Sequence, residues 1–317
     1  MTSKDIKLIL VHAGVLLALF LCPYVISKYW LLLVIEALTL AIFTMSLDLI
    51  MGYAGIVSFG HAAFFGLGGY ALGVTIFHIA PSVWLALLMG ACVSGCLALF
   101  VGVVAVRTRG IYFAILTLLF GEVVYRIIFH TRAVGGSDGL IGIPVPDLNL
   151  LFFNLDMKNP VNFFYVTAII GYLSFLLCRR LVNSPFGRVL QALRDNENRV
   201  SFLGFNVKAF KIISFAISGM LAGLAGALFS LFKTFADTSQ LHFLLSGKVI
   251  IMDLIGGLGT LIGAVVGAVF MTVFETFISG YFESYHIITG AIFVLVVIFL
   301  PNGLVGLLRA VRKRGES

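Results

Sequence analysis

The chain has 317 residues, of which 61% are hydrophobic and only 11% are charged. Soluble globular domains carry about 25% charged residues, so this composition excludes one or two soluble domains. The net charge of +7 lies in basic clusters between apolar segments, which is typical of membrane proteins and does not indicate nucleic-acid binding.

Apolar runs of about 20 residues recur along the whole chain, and a run of that length can cross a bilayer as a helix. Backbone groups in lipid must bond within their own segment, so the sequence predicts an all-α polytopic membrane protein. Residues 1–317 then form a single transmembrane domain, in which the 34 glycines let helices approach closely. Ten spans are predicted, with approximate limits: 8–26, 31–51, 57–79, 83–106, 111–130, 161–179, 210–232, 246–258, 260–280 and 286–304.

Lysine and arginine predict the orientation. With the N-terminus in the cytoplasm, most of the 21 basic residues fall on the cytoplasmic side, and ten spans return the basic C-terminus to that side. Residues 131–160 are then an extracytoplasmic loop with the turn residues of an ordered surface feature. Residues 180–209 form the largest cytoplasmic loop.

The eighth predicted span is too short to cross a bilayer as a straight helix. It ends in Gly256-Gly257-Leu258-Gly259, where glycines favour a turn. We therefore expect residues 246–280 to form a broken hairpin. Its turn is tolerable at membrane depth only where protein or a water-filled cavity surrounds it.

One polar helix is predicted inside the cytoplasmic loop. Ser184 is a good N-cap, Pro185 fits the first helical position and Gly204 is a good stop. Its apolar stripe consists of Val189, Leu193, Val200 and Leu203. Two interpretations remain open from the residues alone: an interfacial helix anchored on lipid by its arginines, or a helix that docks on a cytoplasmic partner.

Several sequence blocks stand in one order along the chain. They are LDLIMGYAGIVSFGHAAFFGLGGYALG (47–73), RTRGIYFAILTLLFGEVVYRI (107–127), VGGSDGLIGIP (134–144), SPFGRVLQALRDNENRVSFLG (184–204) with the span that follows, GGLGTLIGAVVGAVF (256–270) and PNGLVGL (301–307). Together they resemble branched-chain amino acid ABC-transporter permeases of the LivM type, in the high-affinity branched-chain amino acid and urea permease family. The blocks cover nearly the whole chain.

The resemblance implies a permease subunit of an ATP-driven importer for branched-chain amino acids in the bacterial plasma (inner) membrane. The implied partners are a second, LivH-type permease, two cytoplasmic ATPase subunits, an extracytoplasmic substrate-binding protein and membrane lipid, with no nucleic acid. ATP and Mg would sit on the ATPase subunits, since this chain has no G-x-x-x-x-G-K-[ST] loop. Residues expected to couple ATP hydrolysis to transport are Arg188, Arg194, Asp195, Asn196, Glu197 and Gly204.

The polar helix departs from the family pattern at two positions. The family reads N-E-x-A-A-x-x-x-G, whereas Arg199 and Val200 occupy the two small-residue positions here. We expect these larger side chains to change how closely the helix packs against an ATPase subunit.

Ionisable residues inside spans are costly and are therefore candidates for the translocation path. Glu122 and Arg126 lie four residues apart and predict an ion pair near the outer end, with path lining by Glu122 as the alternative. Ser58 and His61 lie among small residues, where path lining and a helix-packing hydrogen bond both remain open.

Two further path candidates lie in the short eighth span. Lys248 and Asp253 are expected either to pair with each other or to gate the substrate. Asp48 is expected to be solvated near the inner boundary, and Glu275 and Glu283 near the outer one.

No catalytic or metal-binding motif is recognised, and the chain is not expected to be an enzyme. Two other functions remain open. The same architecture could import urea or short amides, or the chain could be a secondary transporter driven by an ion gradient, since broken helices near the midplane suit that class too.

Overall fold

The computed structural model describes residues 14, 17–108, 110–150, 153–281, 290 and 303–306. Its helices are α1 Lys28–Met51, α2 His61–Val74, α3 Val83–Ala105, α4 Ile111–His130, α5 Pro160–Asn183, α6 Pro185–Asp195, α7 Glu197–Phe202, α8 Val207–Lys233, α9 Phe243–Gly256 and α10 Leu261–Ser279. Four short strands pair antiparallel, β1 (Leu140–Ile141) with β4 (Phe235–Ala236) and β2 (Leu148–Leu150) with β3 (Phe153–Leu155).

Seven helices of the described residues are long and apolar enough to cross a membrane. They are α1, α2 with its π-helical extension Thr75–Ile79, α3, α4, α5, α8 and α10. The predicted class, an all-α multi-pass membrane protein, is confirmed. The first predicted span is described only in part, with residues 17–25 helical, and the tenth lies almost wholly outside the described residues.

The helices run between two ends of one bundle. At the β1 end, strand β1 from the loop after α4 pairs with β4, which directly follows α8. Also at this end, the ring of His242, just before α9, lies 5.4 Å from the ring of Tyr125 near the end of α4. At the α6 end, Arg194 of α6 donates to the carbonyl of Gly52, which follows α1, and the turn after α9 lies beside both. Helix α9 therefore reaches from one end to the other with only 14 residues.

Small residues let α3 and α8 pack closely. A Cβ added to Gly219 would overlap Ala98, and one added to Gly223 would overlap Ser94. Ser94 Oγ in turn donates to the carbonyl oxygen of Phe64 in α2 at 2.7 Å. Glycine and serine thus allow three helices to meet at backbone distance, as is common between membrane helices.

The prediction that the third span begins at residue 57 is wrong. Residues 55–58 are irregular and flanked by turn residues, burial alternates from one residue to the next over 54–60, and helix α2 begins only at His61. A Cβ at Gly60 would overlap the carbonyl of Thr117, which lies well inside α4. The third crossing is therefore part irregular and part helical, and irregular backbone of this kind is tolerated where it is buried in protein or lines a cavity.

The broken hairpin of residues 246–280 is present. Helix α9 ends at Gly256, Gly257 and Gly259 have φ of 117° and 71°, and α10 begins at Leu261. Positive φ is easy for glycine and costly for other residues. Protein surrounds the turn, because Gly52 packs against Gly259 and Gly303 packs against Gly257.

Candidate translocation path and coupling segment

The polar helix predicted over residues 184–204 is two helices, α6 and α7, which we call the coupling segment. Ser184 caps α6 by accepting from the N–H of Gly187 at 3.3 Å, and Pro185 takes the first helical position as predicted. Asn196 breaks the helix with φ −162° and caps α7 by accepting from the N–H of Arg199 at 3.0 Å. Asparagine is a strong N-cap residue, which explains the break.

Two polar contacts anchor the coupling segment to the bundle. Arg194 Nη1 donates to the carbonyl oxygen of Gly52 at 2.5 Å. Glu197 Oε2 lies 2.7 Å from Lys211 Nζ of α8. The Lys211 side chain is only 10% exposed, so this pair is largely removed from water.

 The coupling segment therefore bridges α1 and α8.

The tip of the coupling segment carries exposed apolar side chains. Phe202 is 90% exposed, and Leu203 of the predicted apolar stripe is 70% exposed. Leu193 and Val200 of the same stripe are buried against the bundle. Gly204 follows the tip with φ +85° and open space around it, so it ends α7 through its backbone conformation.

The remaining coupling candidates lie on the outer face of this segment. Arg188 is exposed, and Asp195 is 77% exposed and 3.9 Å from Arg194. Arg199, which is not one of these candidates, is also exposed. Of the two departures from the family pattern, Val200 packs inward and Arg199 points away from the bundle. The larger side chains are therefore accommodated without opening the contact with α8.

A cavity of 550 Å³ opens at the α6 end. Residues 54–57 and Phe59 form one wall, the start of α4 forms another, and residues 193–197 with Lys211 form the third. The anchored coupling segment thus borders this cavity directly. Any displacement of α6 and α7 would change the cavity's shape.

A second cavity, of 380 Å³, opens towards the β1 end. Helices α1, α8 and α9 contribute Glu36, Lys233 and Lys248, and α2 contributes Phe65. Of these charged residues, only Lys248 was a predicted path candidate. Glu36 could have been found from the sequence, because a carboxylate inside a predicted span is a candidate for the path. Lys233 stands at the end of a predicted span and could not have been found in this way.

A series of rings, all buried except the half-buried Phe229, connects the walls of the two cavities. Successive ring centroids in this aromatic chain are 4.4 to 5.7 Å apart. From the α6-end cavity to the β1-end cavity, its members are Phe113, Phe215, Phe64, His61, Phe43, Phe65 and Phe229. The path between the cavities is closed in this conformation.

The predicted candidates Ser58 and His61 lie at this closed centre. His61 is fully buried and stacks on Phe43 at 5.4 Å. Ser46 Oγ donates to the carbonyl of Phe43, so it accepts from His61 Nε2 at 2.8 Å. Neither His61 Nδ1 nor Ser58 Oγ has a hydrogen-bond partner among the described residues. His61 therefore has the packing role in this conformation, with one ring nitrogen left unpaired.

The expected pairing of Lys248 with Asp253 is wrong. Lys248 Nζ pairs with Glu275 Oε2 of α10, so Glu275 is not the solvated residue that was expected, and Glu283 lies outside the described residues. Asp253 is fully buried, and neither of its carboxylate oxygens has a partner in the described part of the chain. It lines neither cavity.

Asp48 is buried and not solvated, which corrects a second expectation. Its Oδ1 accepts from the N–H of Gly259 at 2.7 Å and so fastens the end of α1 to the hairpin turn. Burial and then the nearby Asp48 carboxylate raise the pKa of Tyr53 to about 12. The Tyr53 phenol therefore stays neutral beside this turn.

Glu122 forms the predicted ion pair, with Arg126 Nε 2.9 Å from its Oε1. It borders neither cavity, so its alternative role as a lining residue finds no geometric support. No cluster of three His, Cys, Asp or Glu side chains within the described ranges could hold a metal ion.

A helical bundle that can be entered from both ends but is sealed midway has the form of a membrane transport permease. The chain belongs to the family described as "Branched-chain amino acid transport system / permease component", whose pattern it matches over residues 29–300. No solved structure matches the chain.

Curated relatives agree with this assignment. The chain is 28% identical over 307 residues to the high-affinity branched-chain amino acid transport system permease protein LivM of Escherichia coli, covering 90% of this chain and 72% of the relative. Identity to LivM of Salmonella typhimurium is 26% with the same coverage. A probable branched-chain amino acid transport permease protein LivM of Methanocaldococcus jannaschii is 30% identical over 224 residues, or 60% of this chain and 64% of the relative.

Proposed function

We propose that this chain is a membrane-spanning subunit of an ATP-driven importer and forms part of the path for branched-chain amino acids. The observation that carries the proposal is the coupling segment, which borders the α6-end cavity and is fastened to α1 and α8. A separate ATPase that moved this segment would act on the path itself. The family match and the LivM relatives support the substrate class.

The α6 end is cytoplasmic in this proposal, and both chain termini lie there. Ten crossings are supported by the positions of Ser279 and Gly303. Helix α10 ends at Ser279 at the β1 end, whereas Gly303 packs on Gly257 at the α6 end. Tyr165, near the start of α5, donates from its Oη to the carbonyl oxygen of Phe20. This contact supports a first helix that reaches the β1 end.

The exposed tip at Phe202 and Leu203 is the surface on which an ATPase subunit would dock. Large apolar side chains that fill a pocket on the partner commonly dominate such interfaces. The assembly would contain a LivH-type permease, two ATPase subunits that hold ATP and Mg, and an extracytoplasmic binding protein in the bacterial inner membrane. This chain itself would hold no nucleotide and catalyse no reaction.

Uptake into proteoliposomes tests the proposal. The complex, purified with its ATPase subunits, should accumulate radiolabelled L-leucine only when ATP and the binding protein are supplied. Uptake that persists without ATP and collapses with an ionophore would instead identify an ion-gradient-driven carrier. Accumulation of urea but not of leucine would identify the other importer class.

A further inference from the structure

The β1-end cavity holds charged groups of both signs. Lys233 Nζ lies 2.8 Å from Glu36 Oε2, and both side chains remain about one-third exposed, at 34% and 29%. Lys248, also in the wall, is paired with Glu275. These charges balance, so a ligand with a net charge would leave one charge unpaired in a partly desolvated site, which is unfavourable. A ligand that carries one charge of each sign keeps the balance.

An unpaired donor lies in the same wall. Gln240 is 5% exposed, and its Oε1 accepts from Ser230 Oγ at 3.0 Å. Its Nε2 has no acceptor among the described residues. A buried N–H without an acceptor is costly, and a ligand carboxylate would supply the missing acceptor.

Ring contacts keep the Lys233 ammonium at the cavity. Its Nζ lies 5.6 Å from the ring centre of Phe229 and 5.3 Å from that of Phe232. A cation at this distance from an aromatic face is attracted to it. The positive group is therefore held in place when its carboxylate partner is shared with a ligand.

The rest of the wall is apolar and ends at the aromatic chain. Leu40, Phe65 and Leu245 form this part, and Phe65 is in ring contact with Phe43 at 4.4 Å. The volume of 380 Å³ falls within the range of small-molecule sites. Apolar walls with a few converging polar groups are typical of such sites.

We propose that the β1-end cavity binds the α-amino and α-carboxylate groups of a zwitterionic amino acid, a site that this subunit carries apart from any binding protein. The carboxylate lies between Lys233 Nζ and Gln240 Nε2, the ammonium lies against Glu36, and the apolar side chain points to Leu40 and Phe65. The inference rests on the proposed function and deepens it, because it gives the permease its own selection against urea. Urea has no separated charges to match Glu36 and Lys233.

Equilibrium binding tests the site. The complex is purified without the binding protein, and radiolabelled L-leucine is displaced by L-leucine, 4-methylpentanoate, isoamylamine or urea. Each of the last three lacks at least one charged group, so each should compete at least about tenfold less well than L-leucine. Lys233→Met should raise the Kd for L-leucine at least about tenfold.

Two further variants separate binding from folding. Gln240→Glu keeps the oxygen that accepts from Ser230 and replaces only the unpaired amide NH2 group with a carboxylate oxygen. This oxygen repels the carboxylate of L-leucine, so the variant should also weaken binding. Arg126→Met removes the cation of an ion pair outside the cavity and should leave the Kd unchanged. Gel filtration of each complex reports whether it is assembled.

The outcomes are distinct. The site would be overturned by wild-type affinity in both Lys233→Met and Gln240→Glu, or by the absence of leucine binding in the wild type. Competition by 4-methylpentanoate and isoamylamine as strong as that by L-leucine would overturn it too. Leucine binding that is lost in the two variants, in a complex that shows no ATP-driven uptake, would support the site and contradict the proposed function.

Discussion

Glu197 and Lys211 form the ion pair that fastens α7 to α8. The two side chains are 25% and 10% exposed, so removing one partner leaves the other charge with little water to solvate it. Such a loss costs roughly 2 kcal/mol or more. At the scale of single residues, this pair is the contact most directly placed to transmit a movement of the coupling segment.

Charge reversal tests this transmission. Glu197→Lys and Lys211→Glu should each lower the amount of leucine transported per ATP hydrolysed, because α7 and α8 would then repel each other. The double variant restores the ion pair with the two charges exchanged between the positions, so it should recover most of the coupling. Uptake and ATPase rates are measured on the same proteoliposomes.

The matched control is Glu122→Lys. It reverses the same charge in the ion pair with Arg126, which borders neither cavity. Coupling should stay at the wild-type level in this variant. A Glu197→Lys variant with normal coupling would show that the ion pair does not transmit the movement.

At the scale of elements, the hairpin turn between α9 and α10 depends on close backbone approach. Gly259 has φ +71° and packs against Gly52, whose added Cβ would overlap both Asp48 and Gly259. We predict that Gly259→Ala lowers the thermal unfolding midpoint of the purified complex, since positive φ and loss of close packing together cost about 1–3 kcal/mol.

Gly247→Ala supplies the control within the same hairpin. Gly247 lies inside α9, has no heavy atom within 4 Å of an added Cβ and has no positive φ. Alanine is favoured over glycine in a helix by about 1 kcal/mol, so the midpoint should stay the same or rise. Equal midpoints for the two variants would contradict the role assigned to the turn.

Periodicity and length predicted most of these elements, because long apolar runs bounded by caps leave few alternatives. The fifth predicted span, 111–130, coincides with Ile111–His130. The glycines after α9 correctly predicted the turn of the hairpin. Residues 57–60 were predicted as helical although they are not, because the exposed Val57 and Phe59 are as apolar as the buried Ile56. Hydropathy cannot distinguish two apolar faces.

The site was less predictable than the fold. Glu36 and Lys233 are 197 positions apart in the chain, and nothing in either local sequence indicates that they meet. The break of the polar helix, by contrast, had a local signal in Asn196, a strong N-cap residue. Contacts between distant segments depend on how the whole bundle packs.

At the scale of the whole molecule, the proposed orientation predicts which surfaces each side of the membrane can reach. In a variant that lacks the four native cysteines, Ser137→Cys should react with a membrane-impermeant maleimide added to intact cells, because Ser137 is exposed in the loop at the β1 end. Ser201→Cys, exposed in α7, should react only in inverted vesicles. Labelling of Ser201→Cys from outside would reverse the orientation.

The aromatic chain has a consequence for the cell when no cargo is moving. Six buried rings and the half-buried ring of Phe229 form a largely apolar barrier to protons and small ions between the two cavities. Charge crosses such apolar stretches at high cost, so an idle transporter of this design would not dissipate the membrane potential. Its electrical insulation would come from the same rings that have to part for an amino acid.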